Sequence, residues 1–280
     1  MIREPAVSGT FYPGNAEALA HDIEQYLSQA APPEIKGEIK GLIAPYAGYM
    51  YSGPVAAWGY KALSGHRYDT VIVIAPSHRS YFSVAAILKR GGYRTPLGVV
   101  EIDEEFAADL LKQGGPIVSD LHAHQDEHSL EVQVPFLQYV LKDFRMVPLI
   151  MGAHDVDLCE ELASALFRAI EGSTKRFLVV GSTDLSHYYP YRHAIELDGH
   201  VVARLNSFDV QGLIQDLASE KCEACGAGPI ITTMMLSRQL GADAGKVLKY
   251  ANSGDVSGDK STVVGYVSSV FYRKGTGRDG

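Results

Sequence analysis

The stretch Gly181-Ser182-Thr183-Asp184-Leu185-Ser186-His187-Tyr188-Tyr189 follows the run Arg176-Phe177-Leu178-Val179-Val180. The run is short, mostly apolar and partly β-branched, which predicts a buried strand. Small and polar residues follow at once, so the end of the predicted strand carries a carboxylate (Asp184) and an imidazole (His187). In an open α/β sheet, ligand-binding groups gather at the carboxyl ends of the strands. We therefore expect a functional site at this point.

A second apolar run ends in the same way. The segment Val71-Ile72-Val73-Ile74-Ala75 predicts another buried strand, and Pro76-Ser77-His78 follows it directly. Both predicted strands thus deliver a serine and a histidine to their carboxyl ends. If the two strands are parallel neighbours, these side chains lie on one rim.

The remaining pattern alternates predicted strands with predicted helices, which indicates the α/β class with helices on both faces of a sheet. The sequence shows no Pro/Ser-rich linker and no repeat, so we expect a single three-layer domain over residues 1–280, with a mixed, mostly parallel central sheet. The segment 263–272 has mixed polarity, which predicts that at least one late strand is antiparallel. Other predicted strands cover 39–44, 84–88, 146–151 and 246–251, and a turn is predicted over Tyr93–Gly98. Predicted helices cover 15–29, 54–63 with Pro54 in the first turn, 129–141, 192–205, 209–219 and 229–240, and two more begin at Asp103 and at Asp155 or Asp157.

The composition excludes several classes of protein. The 280 residues include 25 Lys and Arg against 33 Asp and Glu, a net charge of −8, without a cluster of basic residues. Such a chain is a poor candidate for binding nucleic acid or an anionic membrane. No apolar run approaches the roughly 20 residues that span a bilayer, and no apolar signal segment follows Met1. Three cysteines suit a reducing compartment, so we expect a cytoplasmic protein.

Common cofactor and hydrolase motifs are missing from the sequence. It has no Gly-x-Gly-x-x-Gly after the first predicted strand and no P-loop, so we expect no nucleotide cofactor. It also has no Gly-x-Ser-x-Gly nucleophile elbow, which speaks against a serine hydrolase.

Each candidate residue also allows a purely structural interpretation. Asp184 and His187 could bind a metal or act as an oriented base. On this pair alone the structural interpretation is favoured, in which Asp184 caps a following helix and His187 is a hydrogen-bonded interior histidine. His78 could simply be a solvated loop residue. The Cys222-x-x-Cys225 pair lacks the second ligand pair that a zinc ribbon needs. The favoured role for this motif is a single thiol at the start of a helix, where the helix dipole lowers the thiol pKa.

The segment from His122 to Glu131 is rich in histidine and acidic residues. Only His124 and His128 could share a helical face, and Asp126 is predicted to begin the helix. Glu127 and Glu131 would lie together on one face. This pattern fits either a metal site or an exposed polar helix start, and the second interpretation is favoured.

Taken together, these motifs resemble those of the Memo family, which is similar in fold to the LigB-type class III extradiol dioxygenases. The resemblance covers nearly the whole chain, and the motifs occur in the family's order. They are Ala6-Val7-Ser8-Gly9-Thr10-Phe11-Tyr12-Pro13, Ala44-Pro45-Tyr46-Ala47-Gly48-Tyr49, Pro76-Ser77-His78, Asp126-Glu127-His128-Ser129-Leu130-Glu131, Ser182-Thr183-Asp184-Leu185-Ser186-His187 and Ala224-Cys225-Gly226.

The resemblance implies a LigB-like fold with a pocket at the strand ends. Its metal-binding members use a His after Ala-Pro, the His of Pro-Ser-His and the Cys of Cys-Gly, which implies His78 and Cys225 as ligands here. Asp184, His187 and His128 would line the same pocket as catalytic groups. This chain departs from the pattern at the first ligand, where it has Tyr46. A neutral phenol is a poor ligand for a divalent metal, and a phenolate requires a lowered pKa.

Two kinds of function follow from the resemblance. The first is a metal-dependent redox activity, dioxygenase-like, with iron or copper at His78 and Cys225, on an unknown substrate. The second is a non-catalytic binding or adaptor protein that uses the same pocket for a peptide or small ligand. The resemblance also implies AMMECR-type and radical-SAM proteins as partners, as in an AmmeMemoRadiSam system.

Overall fold

The computed structural model describes residues 1–275, so the last five residues of the predicted domain lie outside the described part. The strands are β1 (Ile2–Arg3), β2 (Gly37–Ala44), β3 (Thr70–Pro76), β4 (Ala85–Ile87), β5 (Gly92–Thr95), β6 (Gly98–Glu101), β7 (Ile117–Ser119), β8 (Arg145–Met151), β9 (Phe177–Ser182), β10 (His187–Tyr189), β11 (Ala244–Asn252) and β12 (Val263–Lys274). The helices are α1 (Ala16–Gln29), α2 (Tyr49–Ala62), α3 (Glu104–Lys112), α4 (His122–Gln125), α5 (His128–Glu131), α6 (Gln133–Val140), α7 (Val156–Glu171), α8 (Tyr191–Ser207), α9 (Val210–Ala218), α10 (Ala227–Gln239) and α11 (Ser253–Ser257).

A mixed nine-stranded sheet forms the centre of the molecule. Its main path runs β10-β12-β2-β9-β3-β8-β4-β7, and β11 pairs with β12. The four strands β2, β9, β3 and β8 are mutually parallel, whereas β12 is antiparallel to β2 and β4 is antiparallel to β8. The predicted mixed sheet and the antiparallel late strand are thus confirmed, and the parallel pairing is concentrated at the centre.

Helices cover both faces of this sheet. Adjacent residues of a strand point to opposite faces, and β2 shows the result. Gly59 of α2 approaches the Leu42 side chain so closely that a Cβ on Gly59 would lie 2.5 Å from it. A Cβ on the neighbouring Gly41 would lie 2.1 Å from Ser237 Oγ of α10. The predicted three-layer arrangement is therefore present. Strands β3 and β9 are buried throughout, and β2 is buried from Gly41 to Ala44.

Several local predictions were wrong. The segment Tyr93–Gly98, predicted as a turn, belongs to the hairpin β5–β6, which forms a separate three-stranded sheet with β1. The predicted helix 129–141 is divided into α5 and α6. Helix α2 begins at Tyr49, which places Pro54 inside the helix instead of in its first turn. The Tyr49 N–H donates to Phe11 O (2.7 Å), a contact with the distant N-terminal segment that starts the helix early.

The helix start around Glu127 and Glu131 is buried, so the interpretation as an exposed polar segment was wrong. Both carboxylates are at most 1% exposed. Glu131 accepts hydrogen bonds from Ala6 N (2.7 Å), Val7 N (3.1 Å) and Tyr12 Oη (2.5 Å), and it forms an ion pair with buried Arg3. The N-terminal segment therefore packs over α5, because the buried Glu131 carboxylate accepts hydrogen bonds from its N–H and O–H groups.

Arg3 extends this anchor to the neighbouring loop. Its guanidinium donates to His124 O (3.0 Å) and to Glu127 O (2.8 Å) in addition to the Glu131 carboxylate. A buried charge is tolerated only when it is paired and hydrogen-bonded. The Arg3–Glu131 pair thus fixes the backbone of the loop that carries Glu127.

We predict that Glu131→Gln destabilises the fold by about 3–5 kcal/mol, because it leaves the Arg3 guanidinium buried without a counter-charge. Equilibrium urea unfolding measures this difference. The exposed Glu161→Gln on α7 is the matched control and should change the unfolding free energy by no more than about 0.5 kcal/mol. Equal urea midpoints for the two variants would show that the Glu131 anchor is not important for stability.

Among the described residues, no helix is both long enough and apolar enough to cross a membrane.

Candidate functional site

Three parallel strands end side by side and bring three predicted site residues together. Strand β9 lies between β2 and β3, with Ala44 opposite Ser182 and Ile74 opposite Gly181. Tyr46, Asp184 and His78 follow these three strands within two residues of their ends. The Tyr46 N–H donates to Asp184 Oδ1 (2.9 Å), which joins the ends of β2 and β9.

His78 lies at the centre of a chain of polar contacts. Its Nδ1 is 3.0 Å from Glu127 Oε1, and its backbone N–H donates to Glu127 Oε2 (2.6 Å). Its Nε2 is 3.0 Å from Tyr46 Oη and 3.2 Å from Cys225 Sγ. The imidazole is therefore fixed on one side by a carboxylate and faces a phenol and a thiol on the other.

Glu127 and His78 form an ion pair at neutral pH. Burial by itself would lower the pKa of His78, but its hydrogen bonds to Cys225 and Glu127 outweigh burial and raise the pKa to about 10. Burial would likewise raise the pKa of Glu127, but donors from His78 and Ser129 lower it to about 2. The carboxylate is thus ionised and accepts hydrogen bonds from a charged imidazole.

Cys225 reaches the site from the loop before α10. Its N–H donates to Asp184 O (3.1 Å), and the next N–H, of Gly226, donates to Thr183 Oγ1 (3.0 Å). A Cβ on Gly226 would lie 2.3 Å from Ser182 O, so only glycine allows this loop to approach the end of β9. Cys225 is partly exposed and, like Cys159 and Cys222, is a free thiol.

Tyr46 is a protonated phenol at this position. Burial is the main cause that raises its pKa far above the ordinary value, and Asp184 and Cys225 add to the effect. A phenol that keeps its proton is a poor metal ligand. The strong donors that fit a metal here are consequently His78 Nε2 and Cys225 Sγ, an imidazole and a thiolate, which both iron and copper accept.

His128 belongs to a second group of possible donors. One atom each from His78, Glu127 and His128 lie within 4.8 Å of one another. The His128 Nδ1 is 3.3 Å from Glu127 Oε1, and its ring centroid is 4.7 Å from that of His78. Because Glu127 already accepts bonds from His78 and Ser129, its arrangement favours a role in orienting imidazoles.

Asp184 and His187 have different surroundings in the structure. Asp184 is 2% exposed, and no helix follows it directly, so the interpretation as a helix cap was wrong. The described hydrogen bonds of His187 go to Leu185 O (2.8 Å) and, through its backbone N–H, to Glu223 Oε1 (2.9 Å). They do not join His187 to His78 or Cys225, so its catalytic role stays a prediction.

Sequence reasoning missed the orienting carboxylate and a further histidine. Glu127 accepts the Ser129 N–H and is the N-cap of α5, where Asp126 had been predicted. A carboxylate two residues before a helical serine is the signal that could have identified it. His154 follows β8, the next parallel strand, and its pKa is lowered by burial and then by His78. No motif in the sequence marks His154.

We predict that protonation of Asp184 couples stability to pH. Burial raises the pKa of Asp184 to about 7. The stabilisation that the protonated carboxyl gives the folded state is therefore complete below its unfolded pKa near 3.8 and declines as the pH rises to about 7. Each pKa unit corresponds to about 1.4 kcal/mol. The unfolding free energy of Asp184→Asn relative to wild type should therefore increase by a few kcal/mol between pH 4 and pH 7 and then level off. A pH-independent difference in chemical denaturation would contradict this assignment.

Comparison with known proteins gives the same family as the motifs. A family model described as Memo-like protein matches residues 3–270. A MEMO1 family protein of Methanopyrus kandleri is 42% identical over 98% of this chain and 100% of its own length. Another, of Methanobrevibacter smithii, is 38% identical over 97% and 100%. The crystal structure of an uncharacterized Escherichia coli K12 protein, JW3007, shares the fold at a TM-score of 0.55 and 15% identity, with 82% of this chain and 99% of that chain covered. With its family model matched over nearly the whole length and such close full-length relatives, this chain belongs to the Memo family.

Proposed function

We propose that this Memo-family protein holds an iron or copper ion through His78 Nε2 and Cys225 Sγ and uses it in redox chemistry on a small molecule. The observation that carries the proposal is the contact of 3.2 Å between these two donor atoms, with Glu127 on the opposite nitrogen of the same imidazole. A carboxylate on the free nitrogen of a metal-binding histidine is a recurrent arrangement that orients the ring.

A bound iron or copper ion would supply one-electron chemistry, and the surrounding residues would prepare the pocket for it. Glu127 fixes the direction in which His78 Nε2 points. Asp184, with its pKa raised to about 7 by burial, can give or take a proton near neutral pH. His128 lies against His78 and is a second candidate for proton exchange. Tyr46 supplies a hydrogen-bond donor in place of a third ligand.

A second candidate function is non-catalytic binding of a small ligand or peptide in the same pocket. Tyr46 favours it, because a protonated phenol beside His78 weakens the ligand set but can still take part in hydrogen bonds. The AMMECR-type and radical-SAM partners and the cytoplasmic location implied earlier also stay predictions. Metal content separates the two functions.

We predict that Tyr46→His increases the affinity for copper or iron by at least tenfold, because it replaces a neutral phenol with a third strong donor at hydrogen-bond distance from His78. Direct metal titration of protein purified without chelator or tag-derived metal measures this change. Tyr51→His, on the same stretch of chain, is the matched control and should leave the affinity unchanged.

The wild-type protein should bind one iron or copper per chain under metal-replete conditions, and Cys225→Ala and His78→Ala should each abolish that binding. Absence of stoichiometric metal in the replete wild-type protein would exclude the redox proposal and leave the binding function. Equal metal affinity in Tyr46→His and wild type would show that Tyr46 does not occupy a ligand position.

A further inference from the structure

An open cavity of about 630 Å³ borders the metal site proposed above and shares His78 with it. We call it the outer groove. Two loops line it, the one that follows β3 and the one that follows β8, and His78 belongs to its wall. The lining residues are Ser77, His78, Arg79, Ser80, Tyr81, Gly152, Ala153, His154 and Asp155. A molecule in this groove would lie directly beside the imidazole that contacts Cys225.

Backbone contacts between the two loops hold the outer groove in shape. The Ser77 N–H donates to Met151 O (2.9 Å), and the Gly152 N–H donates to Val84 O (3.2 Å). A Cβ on Gly152 would lie 2.3 Å from Phe82 O, so the loops approach as closely as glycine permits. The groove is thus formed before any ligand arrives.

Arg79 provides an uncompensated positive charge in this groove. It follows His78 directly and is exposed. Among residues 1–275, no hydrogen bond or ion pair of its guanidinium is found, although the chain has a net charge of −8. A planar guanidinium with its donors free matches the oxygens of a carboxylate or a phosphate.

His154 lines the same groove and provides a neutral donor there. The Gly228 N–H donates to His154 Nδ1 (3.3 Å), and a backbone N–H can only donate. The ring proton of the neutral imidazole must then be on Nε2. A Cβ on Gly228 would lie 2.8 Å from Nδ1, so the close approach of α10 also depends on glycine.

Two further residues restrict the ligand. Tyr81 is 83% exposed and offers an aromatic ring on which a flat molecule can pack. Asp155 is an exposed carboxylate next to His154 and repels additional negative charge. The groove therefore suits one acidic group and disfavours polyanions such as polyphosphates.

We propose that the outer groove binds a small molecule with a single acidic group, a carboxylate or a phosphate monoester, through the Arg79 guanidinium and His154 Nε2–H. The remainder of the molecule then lies against His78 and Cys225. This inference rests on the proposed function, for which it supplies the chemical class of the substrate.

Calorimetric titration of chelator-treated protein with benzoate, phenyl phosphate and the neutral benzamide tests the proposal. We expect at least one of the two acids to bind tenfold or more tightly than benzamide, and the preferred acid distinguishes a carboxylate from a phosphate. Arg79→Gln should weaken binding of that acid at least fivefold, and Arg79→Lys should restore part of the affinity. The exposed Arg192→Gln on α8 is the matched control and should behave as wild type.

Binding of neither acid, equal affinity for benzamide, or an Arg79→Gln variant that binds as tightly as Arg192→Gln would overturn the proposal. The metal titrations described above are independent of this measurement. A protein that binds metal but no acid loses only the outer-groove proposal. A protein that binds acid but no metal loses the redox proposal, and the outer groove then remains a binding site without a substrate role.

Discussion

The buried carboxylate of Glu127 is the group on which the arrangement of the site depends. Its Oε2 accepts the backbone N–H of His78, and its Oε1 receives the His78 ring and the Ser129 N–H. These contacts set both the position and the direction of the imidazole, so that Nε2 faces Tyr46 and Cys225. Since Glu127 is only 1% exposed, its charge depends on the positive charge of His78.

Contacts outside the site fix the position of Glu127. Arg3 binds the carbonyl of Glu127 and pairs with Glu131, which also collects donors from the N-terminal segment. The same segment contributes Phe11, whose ring meets His128 edge-on at 5.0 Å. The first residues of the chain thus form part of the wall of a pocket whose chemical groups come from strand ends far along the sequence.

The sequence alone was sufficient to find the central strands and the polar residues at their ends, because buried parallel strands are continuous apolar runs. It could not show that β9 inserts between β2 and β3, since strand order follows from the packing of the whole sheet. The burial of Glu127 was missed because its carboxylate accepts from His78, 49 residues away, and its carbonyl accepts from Arg3, 124 residues away. For His187, the described hydrogen bonds go to Leu185 and Glu223, and its predicted place in the site with Asp184 stays a prediction.

Glu127 holds His78 as a charged imidazole whose Nε2 faces Tyr46 and Cys225, and ring ¹⁵N chemical shifts of His78 in metal-free protein report this state. We expect both ring nitrogens to carry protons at pH 7, because hydrogen bonds to Cys225 and Glu127 outweigh burial and raise the pKa of His78 to about 10. In Glu127→Gln the pKa of His78 should fall, because one of the two groups that raise it has lost its charge. A neutral His78 in the wild-type protein, or a titration that Glu127→Gln leaves unchanged, would contradict the claim.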